Sequence, residues 1–275
     1  DADAISQYTD REEFTVGISA PTSTRHIVLN TTHEILKDAD VRKALQHATN
    51  RQVISEGIFY GLEPAAETLY APTVPYCDVK LEPYAYSAEE AGRLLDEAGW
   101  VMGRGNIREK DGRRLELDLL YNSDSVTEKT ISEYLQSEYL KLGISLNIHG
   151  EEEQSYRDNM KAGNFDMVFN ICWGMPYDPQ SSLAAMRAPV YGDYAAQQGL
   201  EDKAEIDEAI TRILTSTDEA ERQELYEFVL TRLHEDAVYL PLTYETNKAL
   251  YTSGLHGVHF GTDQYDVDFA SMYFE

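Results

Sequence analysis

Between residues 115 and 171 the spacing of apolar side chains keeps switching period, and few folds accommodate that. Leu115, Leu117 and Leu119 alternate with Glu116 and Asp118, the two-residue repeat of a half-buried strand. A helix over 125–142, a strand over 144–148, a helix over 154–162 and a strand over 165–171 follow. Strands joined through helices run parallel, with the helices packed on the sheet faces. The expected fold class is therefore α/β, in layers.

The flanks fit around such a centre. Residues 14–18 read as a short strand stopped by Pro21, and 26–29 as a second strand. Asp38 caps a helix that carries Val41, Ala44, Leu45 and Ala48, extended by Ile54 and Ile58 and closed by Gly61. Residues 62–86 hold four prolines (Pro64, Pro72, Pro75, Pro83) without periodicity, which predicts an ordered surface loop. Ser87 and Glu90 form a capping box for the next helix, which Gly99 closes. Asp111-Gly112 is a tight-turn signal between 107–109 and the strand at 115–119. Two long amphipathic helices over 203–214 and 219–234 precede a strand at 238–242. The tail after Gly254 carries no periodic signal.

Charge narrows the partners. Acids outnumber bases 49 to 23, a formal charge of -26, so a phosphate backbone or an anionic lipid face is a poor match. The ordinary reading of that surplus is a solvated acidic surface; a cationic ligand is also compatible. Cys77 and Cys172 make no metal or redox motif, and their spacing does not argue for a bridge. The most apolar stretch, 165–173, is too short to span a bilayer, and the first residues show no signal-peptide pattern.

Catalytic signatures are missing: no Gly-x-Ser-x-Gly, no phosphate loop, no His-Glu-x-x-His and no dinucleotide glycine fingerprint. With 49 carboxylates, neighbouring acid pairs arise by chance, so a glycosidase-type pair is only a remote reading. His256 and His259 are spaced for a metal, but the glycines around them favour an exposed loop. Glu151-Glu152-Glu153 reads as a solvated charge run. The informative stretch is Cys172-Trp173-Gly174-Met175-Pro176-Tyr177-Asp178-Pro179, directly after a strand. Ligands of open α/β sheets sit beyond the carboxyl ends of strands. Prolines there would hold two rings in place as a pocket wall. Packing of the same rings into the core is the competing reading.

Several strings, in order, resemble one family. They are Val28-Leu29-Asn30, Asp38-Ala39-Asp40-Val41-Arg42-Lys43-Ala44-Leu45, and Ala48-Thr49-Asn50-Arg51. Glu97-Ala98-Gly99-Trp100, Leu142-Gly143-Ile144 and Gly163-Asn164-Phe165-Asp166 follow at matching intervals. The chain resembles the solute-binding proteins of peptide and nickel ABC importers, extracellular family 5. The resemblance implies a periplasmic binding protein-like type II lobe, a layered mixed sheet flanked by helices. It also implies a two-lobed, non-catalytic protein that closes on a small-molecule ligand and delivers it to a membrane permease outside the cytoplasm. The chain starts well inside the family pattern. On that alignment 1–21 is a hinge strand and remnant of the first lobe, 22–240 the second, C-terminal lobe, and 241–275 the return crossing.

Within the family, Trp173-Gly174-Met175-Pro176-Tyr177-Asp178-Pro179 looks most like the nickel branch. Peptide-binding relatives place an acid inside this loop for the peptide amine, whereas here Met175, Pro176 and Tyr177 fill it. The resemblance transfers ligand contact to Trp173 and Tyr177, and more weakly to Tyr156. Tyr191 stands where nickel binders can place a ligating histidine, and a neutral phenol is a poor nickel ligand. The expectation is a bound nickel chelate as transported ligand, no resident cofactor, no metal-ligating and no catalytic residue, and a monomer. The alternatives are short-peptide binding on the same scaffold, a carboxylate-pair hydrolase, and an interaction module without a small ligand.

Overall fold

The computed structural model describes residues 2–173, 179–261 and 267–275, with the backbone alone at Trp173. Its centre is a five-stranded mixed sheet. The strands are β1 (Phe14–Leu29), β2 (Glu116–Asn122), β3 (Ser145–Glu151), β4 (Met167–Trp173) and β5 (Tyr239–Thr252), in the spatial order β3-β2-β4-β1-β5. The principal helices are α1 (Ala39–Ala48), α2 (Arg51–Gly57), α3 (Ala88–Glu97), α4 (Val126–Lys141), α5 (Glu153–Ala162), α6 (Gln180–Ala185), α7 (Gly192–Gln197), α8 (Lys203–Thr215) and α9 (Glu219–Glu235). As the alternating periods require, β2 is parallel to both β3 and β4, and α4 and α5 are the crossovers. β1 lies antiparallel between β4 and β5.

Each sheet face is covered. Ile27, Leu29, Leu117, Leu119, Met167 and Phe169 pack with Val41, Leu45, Leu95, Ile131, Leu135 and Tyr139 of α1, α3 and α4. On the other face Val28, Leu120, Val168, Cys172 and Tyr239 meet Met160, Ile206, Ile210, Tyr226, Val229 and Leu233 of α5, α8 and α9. The layered α/β expectation holds. Both cysteines are buried free thiols. Among the described residues no helix is long and apolar enough to cross a membrane.

Three local expectations change. Residues 14–29 form one strand rather than two. Pro21 lacks an N–H, and the ladder to β5 absorbs it through register shifts on either side, between Ile18 and Pro21 and between Pro21 and Ser23. The helix expected from Asp38 to Gly61 is broken at Thr49: Asn50 turns extended and its side chain caps a new helix by accepting the Val53 N–H at 3.2 Å. The apolar stripe runs across both pieces, which hides the break. The Asp111-Gly112 turn, at φ 52° and 78°, joins Arg108–Lys110 to Arg113–Arg114 in a small sheet with Val101–Met102, while the 115–119 run belongs to the central sheet.

One feature directs the chain outward. The β4 ladder on β1 ends where Ser23 faces Trp173, and N-terminal to it β1 continues against β5. Phe14 to Ile18 and Lys248 to Thr252 therefore leave the sheet as a two-stranded ribbon, past the carboxyl ends of β2, β3 and β4. Lys248 anchors its base: the ammonium pairs with buried Glu63 at 2.9 Å, and Glu63 also accepts from Thr243 at 2.9 Å.

Candidate functional site

Parallel pairing brings the carboxyl ends of β2, β3 and β4 together at Asn122, Glu151 and Trp173. The helices that follow begin at this rim. The Asn122 N–H donates to Glu128 at 2.9 Å, and its side-chain amide donates to Glu153. Ser123 N–H donates to the Glu151 carbonyl at 2.8 Å, and the Asn159 amide reaches the Glu151 carboxylate at 2.6 Å. From the β1 side Arg25 and Ser23 both donate to Glu245 of β5, and the Arg25 guanidinium lies 5.4 Å from the Phe59 ring centre. Burial pushes the Glu128 carboxyl up, the Asn122 N–H and Arg25 pull it back, and Glu245 and Glu153 add like charge. The rim is thus acidic, with a guanidinium that is already paired.

The sequence-predicted ligand residues fall as follows. Trp173 closes β4 opposite Ser23. Tyr177, and the Trp173 ring, lie outside the described residues. Tyr156 is 8% exposed on α5, and its hydroxyl donates to the Phe169 carbonyl, so it braces β4 from behind the rim. Tyr191 is the N-cap residue of α7 and is half-buried against the second core cluster. His256 sits in a short strand, Leu255–His256, paired with Tyr273–Phe274, and does not form part of this rim's ladder.

Sequence reasoning missed a buried polar network beneath the rim. Asn170, in the middle of β4, donates to Asp193 of α7 at 2.7 Å. The Tyr239 hydroxyl of β5 also bonds Asp193, and it accepts from Gln197 at 2.6 Å. Asp193 is 6% exposed, and burial pushes its carboxyl up while Tyr239, Asn170 and the Lys203 charge oppose that. The signal for it was a polar residue, Asn170, inside an otherwise apolar strand. His26, another such residue, lies edge-on to Tyr239 at 5.2 Å between ring centres.

Two further pairs, His33 with Asp166 just outside β1 and β4, and His149 with Asp118 on β3 and β2, each approach to 3.3 Å. Among the described residues no group of three or more His, Cys, Asp or Glu side chains is arranged to hold a metal ion.

Comparison with known proteins sharpens this. Residues 1–193 match the family described as bacterial extracellular solute-binding proteins, family 5 Middle. The nickel-binding periplasmic protein of Escherichia coli (strain K12) is 38% identical over 243 residues, 88% of this chain and 46% of that protein. The oligopeptide-binding protein AppA of Bacillus subtilis (strain 168) is 24% identical over 256 residues, 88% of this chain and 46% of that one. Among solved structures, NikA from Brucella suis in complex with Fe(III)-EDTA superposes with a TM-score of 0.95 at 41% identity, covering 100% of this chain and 55% of that chain. The chain thus spans about half the length of the relatives it matches. Over its whole length it shares the fold of that solved chain. The chain belongs to the family 5 bacterial extracellular solute-binding proteins, a class of binding proteins rather than enzymes.

Proposed function

We propose that this chain is the C-terminal lobe of an extracytoplasmic solute-binding protein that captures a nickel chelate and delivers it to the permease of an ABC importer. The observation that carries the reading is the likeness over the whole chain, at 41% identity, to a protein solved with a metal held in a polycarboxylate chelate. The relative named for nickel binding supports the metal. In this reading 22–240 is the lobe and 241–275 the return crossing. Residues 1–21 carry the hinge strand, and the ribbon that leaves the sheet near Pro21 fits such a crossing. Trp173 and Tyr177 contact the ligand, with Tyr191 and, more weakly, Tyr156 as further ligand residues. The rim is acidic and Arg25 is paired, so the negative charge of a chelate is met by the remaining half of the protein. The protein acts as a monomer, the chelate is cargo rather than cofactor, and no nucleic acid is involved.

The test is thermal unfolding of the natural protein that carries this chain, with Ni(II) alone, Ni(II) with EDTA or L-histidine, and a short-peptide pool. Ligand at about 100 times Kd stabilises by ~2.7 kcal/mol, a shift of several degrees for a chain of this size. A shift with nickel plus chelator is expected. A shift with peptides alone moves the protein to the peptide-binding side of the family, represented by AppA. In the same protein Trp173→Ala and Tyr177→Ala should each weaken chelate binding roughly 10- to 100-fold, as for aromatic anchors elsewhere. The unfolding midpoint without ligand should stay nearly unchanged. Unaltered affinity in both variants removes these rings from the site.

A further inference from the structure

Residues 179–197 carry α6 and α7, which are held on the sheet by several contacts. Ser182 of α6 lies 3.1 Å from the Cys172 thiol. Lys203 of α8 donates to the Met186 carbonyl at 3.2 Å. At Gly192 a Cβ would stand 3.1 Å from the Phe165 ring and 3.2 Å from Val168, so the backbone of α7 rests directly on the β4 layer. The next residue, Asp193, is the point at which three elements meet: Asn170 of β4, Tyr239 of β5 and, through Tyr239, Gln197 of α7 itself. Asn170 is three residues before Trp173, and Asp193 is two residues after Tyr191. One buried hydrogen bond therefore links β4, which ends at Trp173, to α7, whose N-cap residue is Tyr191.

We propose that Asp193 is the positioning residue of the ligand site: bonded to Asn170 and Tyr239, it fixes the start of α7, and with it Tyr191, on the sheet. The inference rests on the reading of Tyr191 as a ligand neighbour given under Proposed function. Asp193 touches no ligand itself. Its carboxylate suits the task because a buried acceptor with several donors holds one geometry, whereas a packed apolar residue would leave α7 free to slide on the sheet. Glutamate at this position is one methylene too long for the same two partners.

A double-mutant cycle tests it, with Fe(III)-EDTA as probe in the natural protein that carries this chain. Asp193→Asn should weaken binding about 10-fold when Tyr191 is present and add nothing in a Tyr191→Ala background, since residues acting through one contact are non-additive. Asn170→Ala, which removes the same bond from the other side, should behave alike and serves if Asp193→Asn fails to fold. Losses that simply multiply, or unchanged affinity in both variants, overturn the proposal. A ligand-free readout separates it from the functional reading. Hydrogen exchange at the backbone amides of 191–194 should speed at least tenfold in Asp193→Asn, beyond any change shared by α9. If Fe(III)-EDTA binds no form of the protein, the chelate reading falls, and this exchange result alone decides: protection unchanged at Tyr191 rejects the positioning role.

Discussion

Replacing Arg51 with methionine is expected to lower unfolding stability by about 4 kcal/mol, an effect on the scale of stranding several buried polar partners. Arg51 is 8% exposed at the start of α2. Its Nε donates to the Pro241 carbonyl of β5 at 2.7 Å. Its Nη1 donates to the carbonyls of Gln46 and Tyr84, each at 3.2 Å, and Nη2 donates to the Gln46 side chain. One guanidinium thereby ties α1, α2, β5 and the 62–86 loop. Burial pulls its pKa down to about 10, so it remains charged at neutral pH and its hydrogen bonds are charge-assisted. Methionine keeps much of the volume but supplies no donor. Lysine, a single point of charge, cannot reach the same spread of acceptors. Urea unfolding of Arg51→Met checks this: the midpoint should fall with the slope unchanged. A midpoint within error of the parent means that water replaces the guanidinium at little cost. Arg93→Ala is the control, because its partners Glu90 and Glu97 are exposed and the midpoint should hardly move.

The second large effect is on the acid side. His26 is 1% exposed, its Nδ1 lies 3.2 Å from the Thr24 carbonyl, and its Nε2 has no partner among the described residues. Burial lowers its pKa from 6.5 to about 4, against the pull of that carbonyl. Between those values the unfolded chain binds a proton that the native state refuses. Stability is therefore full above pH 6.5 and falls as pH drops toward 4, by about 3 kcal/mol for a shift of this size. Asp193 works the other way. Its raised carboxyl pKa means that the native state holds the proton more readily than the unfolded chain, so its contribution grows as pH falls. Comparing the protein with His26→Phe isolates the histidine, since Phe keeps a ring against Tyr239. The acid limb of the variant should be shallower by about 3 kcal/mol across pH 6.5 to 4. Parallel curves would show that the imidazole takes up its proton in the folded state.

The fold was largely legible because its signals are local. Alternation at Leu115, Leu117 and Leu119 marks a strand whatever surrounds it, and the capping box at Ser87 and Glu90 marks a helix start. Strands separated by helices have one economical arrangement, so the parallel β3-β2-β4 unit followed from order. What failed was where local signals are silent or contradictory. Pro21 reads as a strand end, and a bulged partner strand 225 positions away (246 less 21) is what carries the ladder through it. The stripe from Val41 to Ile58 reads as one helix, and only the Asn50 side chain bonding Val53 divides it.

The site divides in the same way. The sequence by itself determined the family and the parallel unit. Each of these is written in residue type and spacing along a short stretch. Only the tertiary structure decided that Tyr156 lies behind β4 with its hydroxyl on Phe169, and that Arg25, Glu153 and Glu245 gather around Glu128. It alone placed Asn170, Asp193 and Tyr239 in one buried network. A lone Asn, Asp or Tyr carries no signal of its partner. Hydrogen bonds across strands and layers join residues far apart in the chain, and their geometry exists only once the sheet has set the register.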